Sequence, residues 1–421
     1  MKRFLSVILF ILLCLAFLAA WIVADDTYRA EETRREYFKS AVSAKTEKAD
    51  TTTEVPVTNE VPVTTEVPAT NEVPVTTEVP ATTETPVTTE TPVTTEVPVT
   101  TEAAEVTVPE NEGIVLLFGG DLVLDREYSS FNGKGSAKDC IDASLLAEMK
   151  GADIFMAGHV FALTNGGTPL DKAYLFRAEK EDAAILSELS LDVVSLANNH
   201  AFDYGADGLA DTLSTLDGLK IGYTGAGQNE KDAEKPYYMT VGGKTIAFTA
   251  AMRSEKYPKT PAADGEKAGV AKMYDLEDYL ETIREAKKNA DFVVAYAHWG
   301  VENTIWLETE QLDGARAMID AGADIVVGAH SHTLQTVEIY KGRPVFYGLG
   351  DISGTGGLAK IVIAEDGTLS AKVIPFDNVN GVATPLSGED LSYKIERLNY
   401  VAKSVGSISK NTVANDGSIT E

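Results

Sequence analysis

The chain has 421 residues, 64 acidic and 36 basic side chains, and a formal charge of −28. A surface of that sign repels phosphate backbones and excludes a nucleic-acid binder. Its two cysteines, Cys14 and Cys140, exclude a disulfide framework and a cysteine-ligated zinc site.

Lys2 and Arg3 precede the uncharged apolar run Phe4–Ala24, and Asp25 and Asp26 follow it. A run of about 20 such residues spans a bilayer core as a helix. Basic residues before it and acidic residues after it put the N-terminus in the cytoplasm and the remainder outside. Residues 1–24 therefore read as a single-pass anchor in the cell membrane. The competing reading is a cleaved signal peptide, against which stand the length of the run and the poor cleavage triplet Ile22-Val23-Ala24. Either way the chain is exported.

Residues 25–112 read as a disordered linker. Glu recurs at 54, 60, 66, 72, 78, 84, 90 and 96, each with Pro two places later, and Thr51–Glu112 holds twelve Glu and no Lys or Arg. Proline at that spacing forbids a continuous helix and favours extended, polyproline-like chain. The repeat is expected to hold a domain away from the membrane, with many Thr open to glycosylation.

From Gly113 short apolar runs alternate with helical patterns, and residues 113–378 read as one domain. The run 114–120 predicts a buried strand, Asp139–Lys150 a helix and Asp153–Ala157 a strand. Glu179–Leu189 predicts a helix, Leu191–Leu196 a strand and Ala206–Leu216 a helix. Strand Lys244–Ala251, helix Asp275–Asn289, strand Asp291–Ala297, helix Thr309–Ala321 and strand Asp324–Val327 follow. Pro344–Tyr347, Ala359–Ile363 and Leu369–Ile374 read as closing strands, with a turn at Asp366-Gly367. After Phe376 the pattern fades, and 379–421 reads as a helix (Leu391–Lys403) and a polar tail. Alternating strands and helices predict a layered α/β fold.

In such folds sites form beyond the carboxyl ends of strands. Asp121 follows the first strand, Gly158, His159 and Val160 the second, and Asn198, Asn199 and His200 the third. His298 follows strand Asp291–Ala297, and His330 and His332 follow strand Asp324–Val327. All five histidines of the chain sit at strand ends, where scattered structural histidines would not gather. Imidazole and carboxylate together suit Mn, Fe or Zn. A divalent metal, as one or two ions, would polarise a phosphoryl oxygen and acidify bound water. His330-x-His332 would present both rings from one face of an extended segment. No G-x-S-x-G elbow, Walker loop or dinucleotide fingerprint is present.

The blocks FGGDLVLDR, SLANNHAFDYGADGLADTLSTL, AYAHWG, AGADIVVGAHSH and VFYGLGD resemble the bacterial CapA proteins of poly-γ-glutamate capsule synthesis, members of the calcineurin-like metallophosphatase superfamily. The resemblance covers about Ile114 to Phe376. It implies an αββα sandwich anchored outside the cell, with other capsule-synthesis proteins and an anionic polymer as partners. It assigns metal contacts to Asp121, Asn198, His298, His330 and His332, and a proton-transferring role to His200 beside Asn199. Arg126, Lys172 and Arg177 are candidate substrate-binding residues. Gly158 and Val160 stand where the family usually has Asn and Glu, so a bridging carboxylate is missing. His159 is the adjacent replacement, although strand alternation turns it to the opposite face. Ala329 replaces a frequent His, and GLGDISG a usual SLGN-F segment. The implied function is capsule synthesis, export or attachment with a degenerate metal site. The alternatives are an active phosphoester or amide hydrolase and a non-catalytic polymer-binding or assembly module.

Overall fold

The computed structural model describes Glu105–Val106 and residues 113–421, apart from 126–128, 130, 132–134, 254–257, 409 and 421. The expected anchor, the Glu-Pro repeat and Arg126 lie outside the described residues. Among those described, no helix is long and apolar enough to cross a membrane.

Two seven-stranded sheets form the core. In chain order their strands are β1 (Glu105–Val106), β2 (Ile114–Leu122), β3 (Ile154–His159), β4 (Val193–Ser195), β5 (Gly222–Thr224), β6 (Tyr237–Val241), β7 (Lys244–Met252), β8 (Phe292–His298), β9 (Ile325–Ala329), β10 (Val337–Tyr340), β11 (Arg343–Phe346), β12 (Gly356–Ile363), β13 (Leu369–Val379) and β14 (Val382–Pro385). One sheet runs β1-β6-β7-β8-β9-β11-β10, the other β14-β13-β12-β2-β3-β4-β5. Strands β7, β8, β9 and β11 are parallel, as are β2 to β5, and antiparallel strands extend each set.

Alternation along the strands assigns the layers. Val294 and Tyr296 of β8 belong to the apolar cluster shared with Leu116 and Phe118 of β2. Val293, Ala295 and Ala297 pack instead with Ile283, Ala315 and Met318. Those three lie on helices Leu276–Lys288 and Thr309–Ala321, so β8 is covered by the second sheet on one face and by helices on the other. The Tyr296 hydroxyl crosses between the sheets and donates to the carbonyls of Gly119 and Gly120 at 2.9 and 3.2 Å.

One device sets the register of the parallel strands at the end away from the site. An Asp just before a strand grips the neighbouring strand with its backbone N–H and its carboxylate. Asp153 grips Val115, Asp192 grips Phe155, Asp291 grips Thr245, and Asp324 grips Val293, with carboxylate contacts of 2.8–2.9 Å. The clasp satisfies an N–H that the ladder has not yet reached.

Several elements depart from the expected ones. The helix expected over Glu179–Leu189 is a 3-10 turn, Lys180–Ala183, followed by a short α-helix, Ala184–Glu188, because Glu179 and Asp182 cap each other's backbone and tighten the first turn. The pattern does not fade after Phe376. β13 continues to Val379, Asn380 and Gly381 turn the chain at φ 55° and 82°, and β14 returns along it. The last long helix, Gly388–Val405, buries Ile395, Leu398 and Val401 against the body.

Candidate metal centre at the strand ends

The carboxyl ends of β2, β4, β8 and β9 meet in one cleft. Asp121 is completely buried. Its Oδ2 accepts the His330 backbone N–H at 3.0 Å and lies 3.6 Å from His332 Nδ1. Its Oδ1 accepts no hydrogen bond and faces His298 Nδ1 at 3.6 Å. Burial raises the Asp121 carboxyl above the usual carboxylate range, against the pull of His332.

His298 Nε2 lies 2.9 Å from Asn199 Oδ1, a contact that needs the ring proton on Nε2. Burial, reinforced by His330 and His332, holds this imidazole well below its ordinary value, so it is neutral. Its Nδ1 lone pair therefore points at an unsatisfied carboxylate oxygen, an arrangement that a cation would relieve. Asn199 is thus the residue that orients His298.

The segment carrying His330 and His332 is not extended. Both residues have positive φ, 84° and 53°, which costs energy in residues with a Cβ. The Asp121 carboxylate holds this turn through the His330 N–H, and it brings the His330 ring within 4.6 Å of His298 and 6.0 Å of His332, centroid to centroid. His332 Nδ1 lies 2.8 Å from Asp351 Oδ1. Burial opposes charge on His332, but the Asp351 hydrogen bond and charge, with Asp121 beyond, carry it up to about 9.

His200 follows β4 in a loop fixed by Asn198. Asn198 donates to the His159 carbonyl at 2.8 Å and accepts the His200 N–H at 2.9 Å. His200 Nδ1 meets Asp203 Oδ2 at 2.7 Å, and Phe176 stacks on the ring at 3.9 Å. Asp203 also accepts from Lys172 and from the Phe176 N–H. Burial lowers the His200 value against the effect of Asp203.

The remaining expected residues border the site without all pointing into it. Lys172 is engaged under the site, on Asp203 and the Asn199 carbonyl. Arg177 is exposed, its guanidinium 4.8 Å from the centre of the Tyr204 ring. Gly158 pairs with Asp121 across β2 and β3, and a Cβ there would lie 3.2 Å from Asp121 Oδ1 and 3.0 Å from the Tyr296 hydroxyl. His159 turns away and stacks on Phe161 at 3.8 Å. Neither of its ring nitrogens is hydrogen-bonded, and burial pushes it down to about 3. Val160 is buried, its N–H bonded to the Leu122 carbonyl.

Four residues of the cleft were not singled out from the sequence: Asp203, Tyr296, Glu302 and Asp351. Glu302 Oε1 lies 3.9 Å from His330 Nε2. One ligand atom each from Asp121, His332 and Asp351 fall within 4.8 Å of one another, as do those of Glu302, His330 and His332. Neutral imidazole beside an unsatisfied buried carboxylate, with further carboxylates at hand, is a donor set that fits a divalent cation.

The family model for the bacterial capsule synthesis protein PGA_cap matches residues 115–354. This chain belongs to that family. It is 36% identical over 233 residues to the PGA biosynthesis protein CapA of Bacillus subtilis (strain 168), covering 53% of this chain and 60% of that one. It is 31% identical over 304 residues to the capsule biosynthesis protein CapA of Bacillus anthracis, covering 68% and 72%. The chain thus spans less than two thirds of the first relative's length. Among solved structures it is similar to the NAD nucleotidase of Haemophilus influenzae at 17% identity and TM-score 0.42, covering 69% of this chain and 56% of that one, a likeness too slight to carry a functional argument. The PGA_cap match encloses the whole cleft, from Asp121 to Asp351.

Proposed function

We propose that this PGA_cap protein acts outside the cell membrane in the synthesis, export or attachment of a poly-γ-glutamate capsule, through a metallophosphatase-like cleft that has lost ligands on one side. The observation that carries the reading is the family match over 115–354, inside which every cleft residue falls. Asp121, His298, His330 and His332 would hold a divalent metal, which when bound supplies Lewis acidity to a substrate oxygen. His200 is the proton-transferring group: Asp203 holds its Nδ1 and leaves Nε2 to give or take a proton. Asn198 fixes the loop that presents His200, and Asn199 orients His298.

The test is deletion of this chain in its own cell, followed by assay of cell-bound γ-glutamyl polymer. Loss of polymer, restored by the full chain, is expected. Unchanged polymer would overturn the reading.

A second reading, a polymer-binding or assembly module without turnover, draws on Gly158 and Tyr296, which leave the β3 flank of Asp121 without a ligand side chain. It predicts the same deletion phenotype but no hydrolysis of an aryl phosphate ester by the metal-loaded protein.

A further inference from the structure

We infer that residues 100–104, the sequence just before β1, dock on the body as an extension of β1, filling the cavity beside Tyr237, Tyr238 and Met239. The chain then enters the body from the direction of the cleft, not from the far end where β2 begins.

The cavity measures about 1080 Å³. One wall is Ile221, Gly222 and Tyr223, at β5, the last strand of its sheet, and the other is Tyr237, Tyr238 and Met239 of β6. The Tyr237 ring lies against Gly222, where a Cβ would stand 2.1 Å from it, and so joins the two walls. β1 pairs with β6 in parallel through two residues, Glu105 opposite Thr240 and Val106 opposite Val241. Continued backward, that register sets Ala104 opposite Met239, Ala103 opposite Tyr238 and Glu102 opposite Tyr237. Among the described residues no strand pairs with those three on that side.

The β6 backbone is set up for this partner. Gly242 and Gly243, at φ 54° and 73°, join β6 to β7, and Val241 pairs with Lys244. In a two-residue hairpin the closing pair exchanges both hydrogen bonds, and bonded residues then alternate along the strand. Val241, Met239 and Tyr237 therefore turn their N–H and C=O groups to β7, while Thr240 and Tyr238 turn theirs outward. In the β1 register, residue 104 would donate its N–H to the Tyr238 carbonyl and accept the Thr240 N–H. The sequence supplies an independent sign. Glu102 keeps the six-residue spacing from Glu96, but position 104, where each earlier Glu of the series has Pro two places later, is Ala. Proline there would remove the donor that the pairing needs. Residues 99–108 are accordingly free of proline, a longer gap than any between the preceding repeats.

The direction of entry follows from the strands. β2 starts at the end away from the cleft, since Asp121 lies near its carboxyl end. β7 runs toward the cleft, with Met252 level with His298, and β6 is antiparallel to β7. β1 is parallel to β6 and so runs away from the cleft, and the residues before it lie on the cleft side.

The experiment follows backbone hydrogen exchange in the purified full chain by mass spectrometry. Amides 102–104 are expected to exchange roughly tenfold or more slowly, relative to their intrinsic rates, than those of Glu96 and Val97 in the preceding repeat. Ala104→Pro, which restores the residue of the repeat, should abolish that protection and speed exchange at Thr240, leaving the core strands unchanged. Equal exchange in the two stretches overturns the docking, and so does protection that survives Ala104→Pro. A disulfide test names the occupant. Opposed strand residues lie within the reach of a disulfide, so Ala103→Cys with Tyr238→Cys should close a bond within one chain on mild oxidation. Thr94→Cys with Tyr238→Cys should close it far more slowly. Equal rates for the two pairs overturn the proposal. A bond formed between chains overturns it as well, because the groove would then hold a second copy's sequence.

Discussion

Tyr296 decides what the β3 flank of the cleft can hold. Its hydroxyl fills the space that a side chain at 158 would need, 3.0 Å from the Cβ position, while tying the two sheets together through Gly119 and Gly120. Gly158→Asn should therefore lower stability by about 1–3 kcal/mol through crowding. Tyr296→Phe alone should cost about 1 kcal/mol for the lost hydrogen bonds. The two changes together should cost less than their sum, because removing the hydroxyl makes room for the new side chain. Denaturant melts of the four proteins check this; strict additivity would show that the hydroxyl does not limit position 158. At this scale the sequence was partly legible. Histidines at strand ends were readable because strand ends can be located and His is rare here. Asp351, Glu302 and Asp203 are ordinary acidic residues among 64, and only folding brings them onto histidines. The His330-x-His332 segment misled because its backbone is set by a tertiary contact, the Asp121 carboxylate on the His330 N–H, and not by local preference.

The recurring element is the strand entered through an aspartate that clasps its neighbour. The four clasps differ in burial, and that difference ranks their importance. Asp324 is buried, accepts the Val293 N–H at 2.9 Å and Lys287 Nζ at 2.7 Å, and meets Arg343 at 3.1 Å. Asp291 is exposed and accepts the Thr245 N–H. Asp324→Ala should cost about 2 kcal/mol or more, because it strands a buried N–H and two cations, and Asp291→Ala about 1 kcal/mol or less. Equal losses in thermal melts would contradict the clasp as a burial-dependent device. Elements with strong local signals were read closely: helix Thr309–Ala321 is bounded by a capping box at Glu308 and Gln311 and by Gly322 at φ 120°. Strand Tyr237–Val241, one in from the edge, and edge strands Val337–Tyr340 and Val382–Pro385 escaped notice. They are short and only partly buried, so their apolar pattern is faint, and pairing with an already formed strand supplies much of their order.

For the whole molecule, two parallel strand sets from distant parts of the chain meet face to face, and the cleft lies where their carboxyl ends coincide. No single stretch of sequence contains it. The acidic, proline-spaced sequence that precedes this body carries the expectation of a tether and an extracytoplasmic domain. Protease added to intact cells should cut between residues 51 and 102 and release the folded body; protection until the cells are lysed would reverse the orientation. The most direct test of the central claim, that this cleft performs the capsule function, is cell-bound γ-glutamyl polymer in cells whose only copy of the chain carries Asp121→Asn. The account predicts polymer at the level of the deleted strain while the variant protein accumulates normally. Polymer at the wild-type level would contradict it.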